Sequence, residues 1–168
     1  MRICANFNAG SGGVHSSGDP RYLVQGATRL NYNLFKSNGI GQVWGSYTWS
    51  PAPRPPTISV TLGANGTGST ATSIYGRPYI RQTGIPTGTL LSLFSGTNTQ
   101  IDYGYSTSFN CTSTLSSRVQ NVSFTVRATN NSSCTVTTTA VDFGTQADLT
   151  AIRDTTNSIG VTCTAGTI

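Results

Sequence analysis

The sequence predicts an all-β protein, and three observations carry that prediction. Apolar residues recur at every second position in short runs, the period of a strand with one covered face. Gly, Asn and Pro separate those runs at turn spacing. No stretch sustains a 3.6-residue apolar period with helix caps. Composition agrees: 36% of the 168 residues are hydrophobic and 9% charged, and Thr, Ser, Gly and Asn fill the rest. Threonine suits the outer faces of strands, and glycine and asparagine suit turns.

The runs are taken in chain order. Ala27 to Lys36 places Leu30, Tyr32 and Leu34 on one face. Thr57 to Leu62 alternates Ile58, Val60 and Leu62. Thr72 to Arg81 carries Ile74, Tyr75, Tyr79 and Ile80. Pro86-Thr87-Gly88 makes a turn, and Thr89 to Phe94 opens the next strand. Ile101 to Tyr105 is a candidate, and Asn121 to Ala128 aligns Val122, Phe124 and Val126. Cys134 to Phe143 and Ser158 to Cys163 end the series. About ten short strands with such turns read as a β-sandwich. A β-solenoid would show a fixed short repeat, and none is present. Thr129 to Ser133 is a polar seam, read as a linker.

Charge and motifs exclude several function classes. The bases are nine arginines and Lys36; the acids are Asp19, Asp102, Asp142, Asp148 and Asp154. The net +5 is spread along the chain, without the basic stripe of a nucleic-acid reader. No apolar run is long enough to span a membrane, and Met1 to Gly10 has no signal-peptide pattern. His15, the one histidine, sits in a Gly/Ser-rich loop four residues before Asp19, poor material for a triad. Gly10 to Gly13 leads into no lysine and no helix, so it is no phosphate cradle. No cofactor or metal is expected from one histidine and no glutamate. Five Asn-x-Ser/Thr sequons are the chance product of this composition. Four cysteines, Cys4, Cys111, Cys134 and Cys163, lack zinc spacing and fit disulfides in an oxidising compartment; buried free thiols are the alternative.

The residues Cys134 to Thr145 (CTVTTTAVDFGT) and Ser158 to Thr167 (SIGVTCTAGT) resemble the opening of a spore coat U domain. Asn8 to Gly13, Pro20 to Leu23, Arg29 to Phe35, Trp44 to Ser46 and Ser73 to Leu90 resemble the remainder of such a domain, in the family's order. The opening thus stands last in the chain. Two tandem units, cut at both ends, account for that: residues 1–128 lacking their first strands, a linker at 129–133, and 134–168 as the front of a second unit. Tandem units resemble the tip adhesin of archaic chaperone–usher pili.

The resemblance implies an immunoglobulin-like β-sandwich of pilin or adhesin type, without enzyme activity. It implies export through the periplasm to the cell surface, with a periplasmic chaperone, an outer-membrane usher and neighbouring pilin subunits as partners. It also implies contact with an abiotic or host surface. A coat protein and a secreted carbohydrate-binding module are the other readings. Cys134 and Cys163 are joined in the family; Cys4 and Cys111 are then left to each other, or one has lost its partner. Tyr47, Trp49, Pro51 and Pro53 are the candidate adhesive loop, set against the reading that the tryptophans are core residues and the prolines only shape a loop. Val136, Val141 and Phe143 mark the strand-assembly face. The strands of the two partial units are expected to combine, with 134–168 docking onto 1–128 as in a circular permutation.

Overall fold

The computed structural model describes residues 1–16, 18–39, 41–49, 53–112, 118–145, 147–148 and 150–163, with 118–120 as backbone alone. The described strands are β1 (Arg2–Phe7), β2 (Arg21–Gln25), β3 (Thr28–Phe35), β4 (Thr57–Ser59), β5 (Tyr75–Pro78), β6 (Gly88–Phe94), β7 (Thr99–Gly104), β8 (Arg118–Gln120), β9 (Phe124–Asn130), β10 (Cys134–Thr138) and β11 (Ile159–Cys163). One 3-10 turn, Gly96–Asn98, joins β6 to β7. The strands form three antiparallel sheets, ordered β4-β1-β7-β8, β5-β3-β2-β6-β9 and β10-β11.

Alternation sets which side chains meet. In β6, Leu90, Ser92 and Phe94 are fully buried, while Leu91 and Leu93 point to the other face and stay exposed. β9 pairs with β6 from Phe94↔Phe124 to Gly88↔Asn130, which carries Phe124, Val126 and Ala128 to the same side. The four- and five-stranded sheets face each other across a core of Ala5, Phe7, Leu23, Tyr32, Leu34, Trp44, Leu90 and Phe94. Phe7 lies at its centre. It stacks on Trp44 with ring centroids 5.5 Å apart and meets Phe124 edge-on at 5.2 Å. Phe94 and Phe124 stack at 4.6 Å. The Trp44 indole N–H donates to the Ala5 carbonyl at 2.7 Å, so its polar atom is satisfied inside the core.

Three strands escaped the period-two reading, β1, β2 and β8. β1 is flanked by β4 and β7 and is buried on both faces from Cys4 to Phe7. Its sequence therefore has no polar side to alternate with. Elsewhere the strands are shorter than expected. The run 57–62 is strand only over Thr57–Ser59, and the run 72–81 only over Tyr75–Pro78. The run 134–143 stops at Thr138, leaving Val141 and Phe143 beyond the strand.

The largest correction concerns the C-terminal segment. Its strands do not combine with those of the first unit: β10 and β11 pair with each other and with no other described strand. All ten of their residues are exposed, so the expected burial of the Val136 face is not found, and 134–168 adds no described strand to the sheets of 1–128. β9 continues through Asn130, so the break in structure spans 131–133.

Candidate functional site

Three regions concern function: the 44–56 loop, the segment 74–85, and the β9 edge with the hairpin after it. No His, Cys, Asp and Glu cluster that could hold a metal occurs among the described residues. Among the described residues, no helix is long and apolar enough to cross a membrane.

The loop from Trp44 lies on the protein, and its aromatic rings turn inward. Tyr47 and Trp49 are 7% and 8% exposed, a correction to their expected role as surface anchors. The physical reason is a set of polar partners beneath them. The Tyr47 backbone N–H donates to Asn6 Oδ1 at 2.9 Å, and its hydroxyl donates to Gln100 Oε1. The Trp49 indole N–H donates to Asn8 Oδ1 at 2.8 Å. Gly18 allows the ring to come this close: at φ 83° a Cβ would stand 2.5 Å from Trp49 Cε3, a position only glycine fills without strain. Pro53 is half-buried; Pro51 lies outside the described residues.

Arg21 organises this side of the molecule, and sequence reasoning missed it. The residue is fully buried. Its Nε donates to the Asn8 carbonyl at 2.9 Å, and Nη2 donates to the carbonyls of Phe7 at 2.6 Å and Trp44 at 2.8 Å. Nη1 donates to Asn33 Oδ1, and the guanidinium lies 4.4 Å from the Trp49 ring centre. Burial pulls its pKa down to about 10, which leaves it charged at neutral pH. A planar fork of five donors can serve carbonyls from several segments at once, which a lysine cannot. The available signal was an arginine at the start of an otherwise apolar strand.

The network continues outward to an exposed apolar point. Asn33 Nδ2 donates to Asp19 Oδ1 at 2.8 Å, and the Tyr79 hydroxyl donates to the same oxygen. Burial, with the Asp19 carboxylate beside it, pushes the Tyr79 pKa up to about 12. The next residue, Ile80, is 83% exposed. Arg81 follows at φ 61°, a left-handed turn uncommon outside glycine. An apolar side chain is thus presented next to a well-anchored tyrosine.

At the other end of the five-stranded sheet, β9 is an edge. It pairs with β6 on one side, and no described strand pairs with the other. Phe124, Val126 and Ala128 pack against the core yet remain partly exposed, while Thr125, Arg127 and Thr129 face outward. The hairpin beyond is amphipathic. Its register, Cys134↔Cys163, Val136↔Val161 and Thr138↔Ile159, places one disulfide, two valines and an isoleucine on one face. Thr135, Thr137, Gly160 and Thr162 occupy the other. Val136, Val161 and Ile159 are 62%, 61% and 69% exposed. Val141 and Phe143 are exposed as well, outside any strand.

The disulfides are Cys4–Cys111 and Cys134–Cys163, and no cysteine is free. Two bridges fit a protein that folds in an oxidising compartment. The chain belongs to the spore coat protein U domain family, whose profile matches residues 3–97. That family is structural, not catalytic, and is associated with spore-coat and pilin-like secreted subunits. The match covers β1 to β6 and ends within the 3-10 turn. No curated protein and no solved structure matches the chain.

Proposed function

We propose that the chain is a structural and adhesive subunit of a bacterial surface fibre, most like a pilus-tip adhesin. In this reading the two facing sheets are an immunoglobulin-like sandwich that takes a strand from a partner. A periplasmic chaperone supplies it first and a neighbouring subunit later, with an outer-membrane usher in between. The observation that carries the proposal is the β9 edge. Seven residues long, it alternates core-packed apolar side chains with outward polar ones. Such an edge is a template for an added strand, with main-chain hydrogen bonds giving affinity and alternate side-chain positions giving specificity. The half-covered Phe124, Val126 and Ala128 are what that strand would cover.

The adhesive contact moves from the 44–56 loop to Ile80. With Trp49 packed on Arg21, the loop offers no aromatic platform, and the carbohydrate-binding reading loses its support. Ile80, backed by the Tyr79–Asp19 bond, is an apolar contact for an abiotic or host surface, where it supports attachment and biofilm formation. A coat role is the second reading, favoured by the family's description.

Immunogold labelling of intact cells tests both. The expected result is label along fibres, and an Ile80→Asp variant that still assembles but attaches to a hydrophobic surface about tenfold less, the loss of one buried apolar side chain. Label spread over a continuous layer favours the coat protein. Unchanged attachment by the variant removes Ile80 from the contact.

A further inference from the structure

The outer face of the five-stranded sheet carries a row of four side chains, one from each of four neighbouring strands. Arg29 in β3 stands opposite Val24 in β2, Val24 opposite Leu91 in β6, and Leu91 opposite Arg127 in β9. Directly opposed residues share a face. Their chain neighbours Leu30, Leu23, Leu90 and Ala128 turn to the core, so the row turns away from it. Neighbouring strands lie about 4.8 Å apart, which puts the two arginines about 14 Å apart across three steps.

The row is positive at both ends and apolar in the middle. Both arginines are exposed. The Arg29 guanidinium lies 4.9 Å from the Tyr22 ring centre, a cation–π contact that holds it on this face. Leu91 is 42% exposed, and Leu93 beside it 41%. The five acids of the chain all lie outside β2, β3, β6 and β9, so these strands supply no carboxylate to neutralise the pair.

The complement of such a row carries two anions with an apolar group between them. A polyanion would meet the arginines and leave Leu91 and Leu93 in water. An anionic bilayer would rest on the arginines, whose side chains outreach valine and leucine and hold the apolar pair off the acyl layer. An extended polypeptide supplies all three groups at the right spacing. Its alternate side chains share a face and its residues rise about 3.4 Å each, so positions i and i+4 stand about 14 Å apart.

We propose that the Arg29–Val24–Leu91–Arg127 row binds an extended acidic segment of another protein, with acids at i and i+4 and an apolar residue at i+2. The segment lies across the strands. Its carboxylates meet the two arginines, and its apolar side chain rests on Val24 and Leu91. The contact uses the face of the sheet, so it leaves the backbone edge of β9 free and is separate from strand addition there.

Amide NMR tests it, on the oxidised full chain purified alone or in complex with its chaperone. The probe is the end-capped synthetic peptide Thr-Glu-Thr-Val-Thr-Glu-Thr. The expected result is saturable shifts centred on Arg29, Val24, Leu91 and Arg127. Arg29→Thr and Arg127→Thr, exposed substitutions that suit a strand, should each weaken binding about threefold, the worth of one exposed ion pair. The isomeric peptide Thr-Glu-Glu-Val-Thr-Thr-Thr, with its acids at the wrong spacing, should bind about threefold more weakly for the same reason. Arg29→Glu with Arg127→Glu should lose the acidic peptide and bind Thr-Lys-Thr-Val-Thr-Lys-Thr instead. Absence of shifts at the row, or equal affinity for the two acidic peptides, overturns the proposal. Binding of heparin or of phosphatidylglycerol vesicles through the two arginines, with none of the peptide, also overturns it and assigns the row to a polyanion or a membrane.

Discussion

An Arg21→Met variant is expected to melt roughly 10–15 °C below the wild-type chain. Met is close to arginine in length but donates nothing. The substitution leaves the carbonyls of Phe7, Asn8 and Trp44 and the Asn33 amide oxygen without the guanidinium that now serves them. Breaking a buried ionic hydrogen-bonded group from one side costs about 3–5 kcal/mol. A typical domain has about 5–15 kcal/mol in total, and each kcal/mol corresponds to about 2–4 °C in a chain of this size. The loss extends beyond the hydrogen bonds, because Trp49 packs on the guanidinium and holds the 44–56 loop through Asn8. Arg21→Lys should rescue little, since one ammonium cannot reach four acceptors in three segments. Thermal unfolding followed by circular dichroism checks both. A shift under about 3 °C for Arg21→Met would show that water replaces the guanidinium at small cost, and the hub assigned here would be wrong.

The two disulfides are expected to act on different parts of the molecule. Cys4 and Cys111 are 107 residues apart in sequence, and closing a loop of that length restricts the unfolded chain by roughly 5 kcal/mol in the entropy model. The bridge ties β1, a central strand, to the segment after β7, and both cysteines are buried. Replacing the pair by alanines should lower the stability of the whole body by about that amount, enough to prevent folding at 37 °C in a domain of ordinary stability. Cys134 and Cys163 are 29 residues apart, a loop worth roughly 3.5 kcal/mol in the same model. That bridge lies in a sheet of its own, so its removal should free the hairpin and leave the main melting transition in place. Denaturant unfolding of both double variants separates the two cases. Equal destabilisation of the body by both would mean that hairpin and body fold as one cooperative unit.

How far the sequence was informative depends on how many faces of each strand are covered. β6 and β9 have one buried face, so Leu90, Phe94, Phe124 and Val126 were readable from period two alone. β1 is covered on both sides, by the core at Ala5 and Phe7 and by the 44–56 loop at Asn6. Its residues RICANF therefore show no period. The loop itself was misread for a related reason. Two tryptophans, a tyrosine and four prolines describe a rigid aromatic loop equally well whether its rings face water or protein. The deciding partners, Asn6, Asn8, Gln100 and Arg21, are dispersed along the chain. Buried polar residues need partners, and four of them in or beside strands were a signal left unused. For the hairpin, the run from Cys134 was read as a strand, but the face was assigned to Val136, Val141 and Phe143, whereas the strand ends at Thr138 and its register groups Val136 with Cys134 and Thr138. What that face meets is a tertiary property that alternation does not contain, and its residues are exposed. Ile80 was read as part of a strand. Its exposure comes from the left-handed turn at Arg81, which no residue preference announces.

In the proposed assembly, the β9 edge accepts a strand from another protein. Periplasmic co-expression of the chain with and without its cognate chaperone, followed by purification through a tag on the chain, tests it most directly. A stable one-to-one complex is expected when the chaperone is present, and a chain that aggregates or is degraded when it is absent. A chain recovered soluble in equal yield without the chaperone, and forming no complex with it, would show a sandwich closed on itself and would contradict assembly by strand addition.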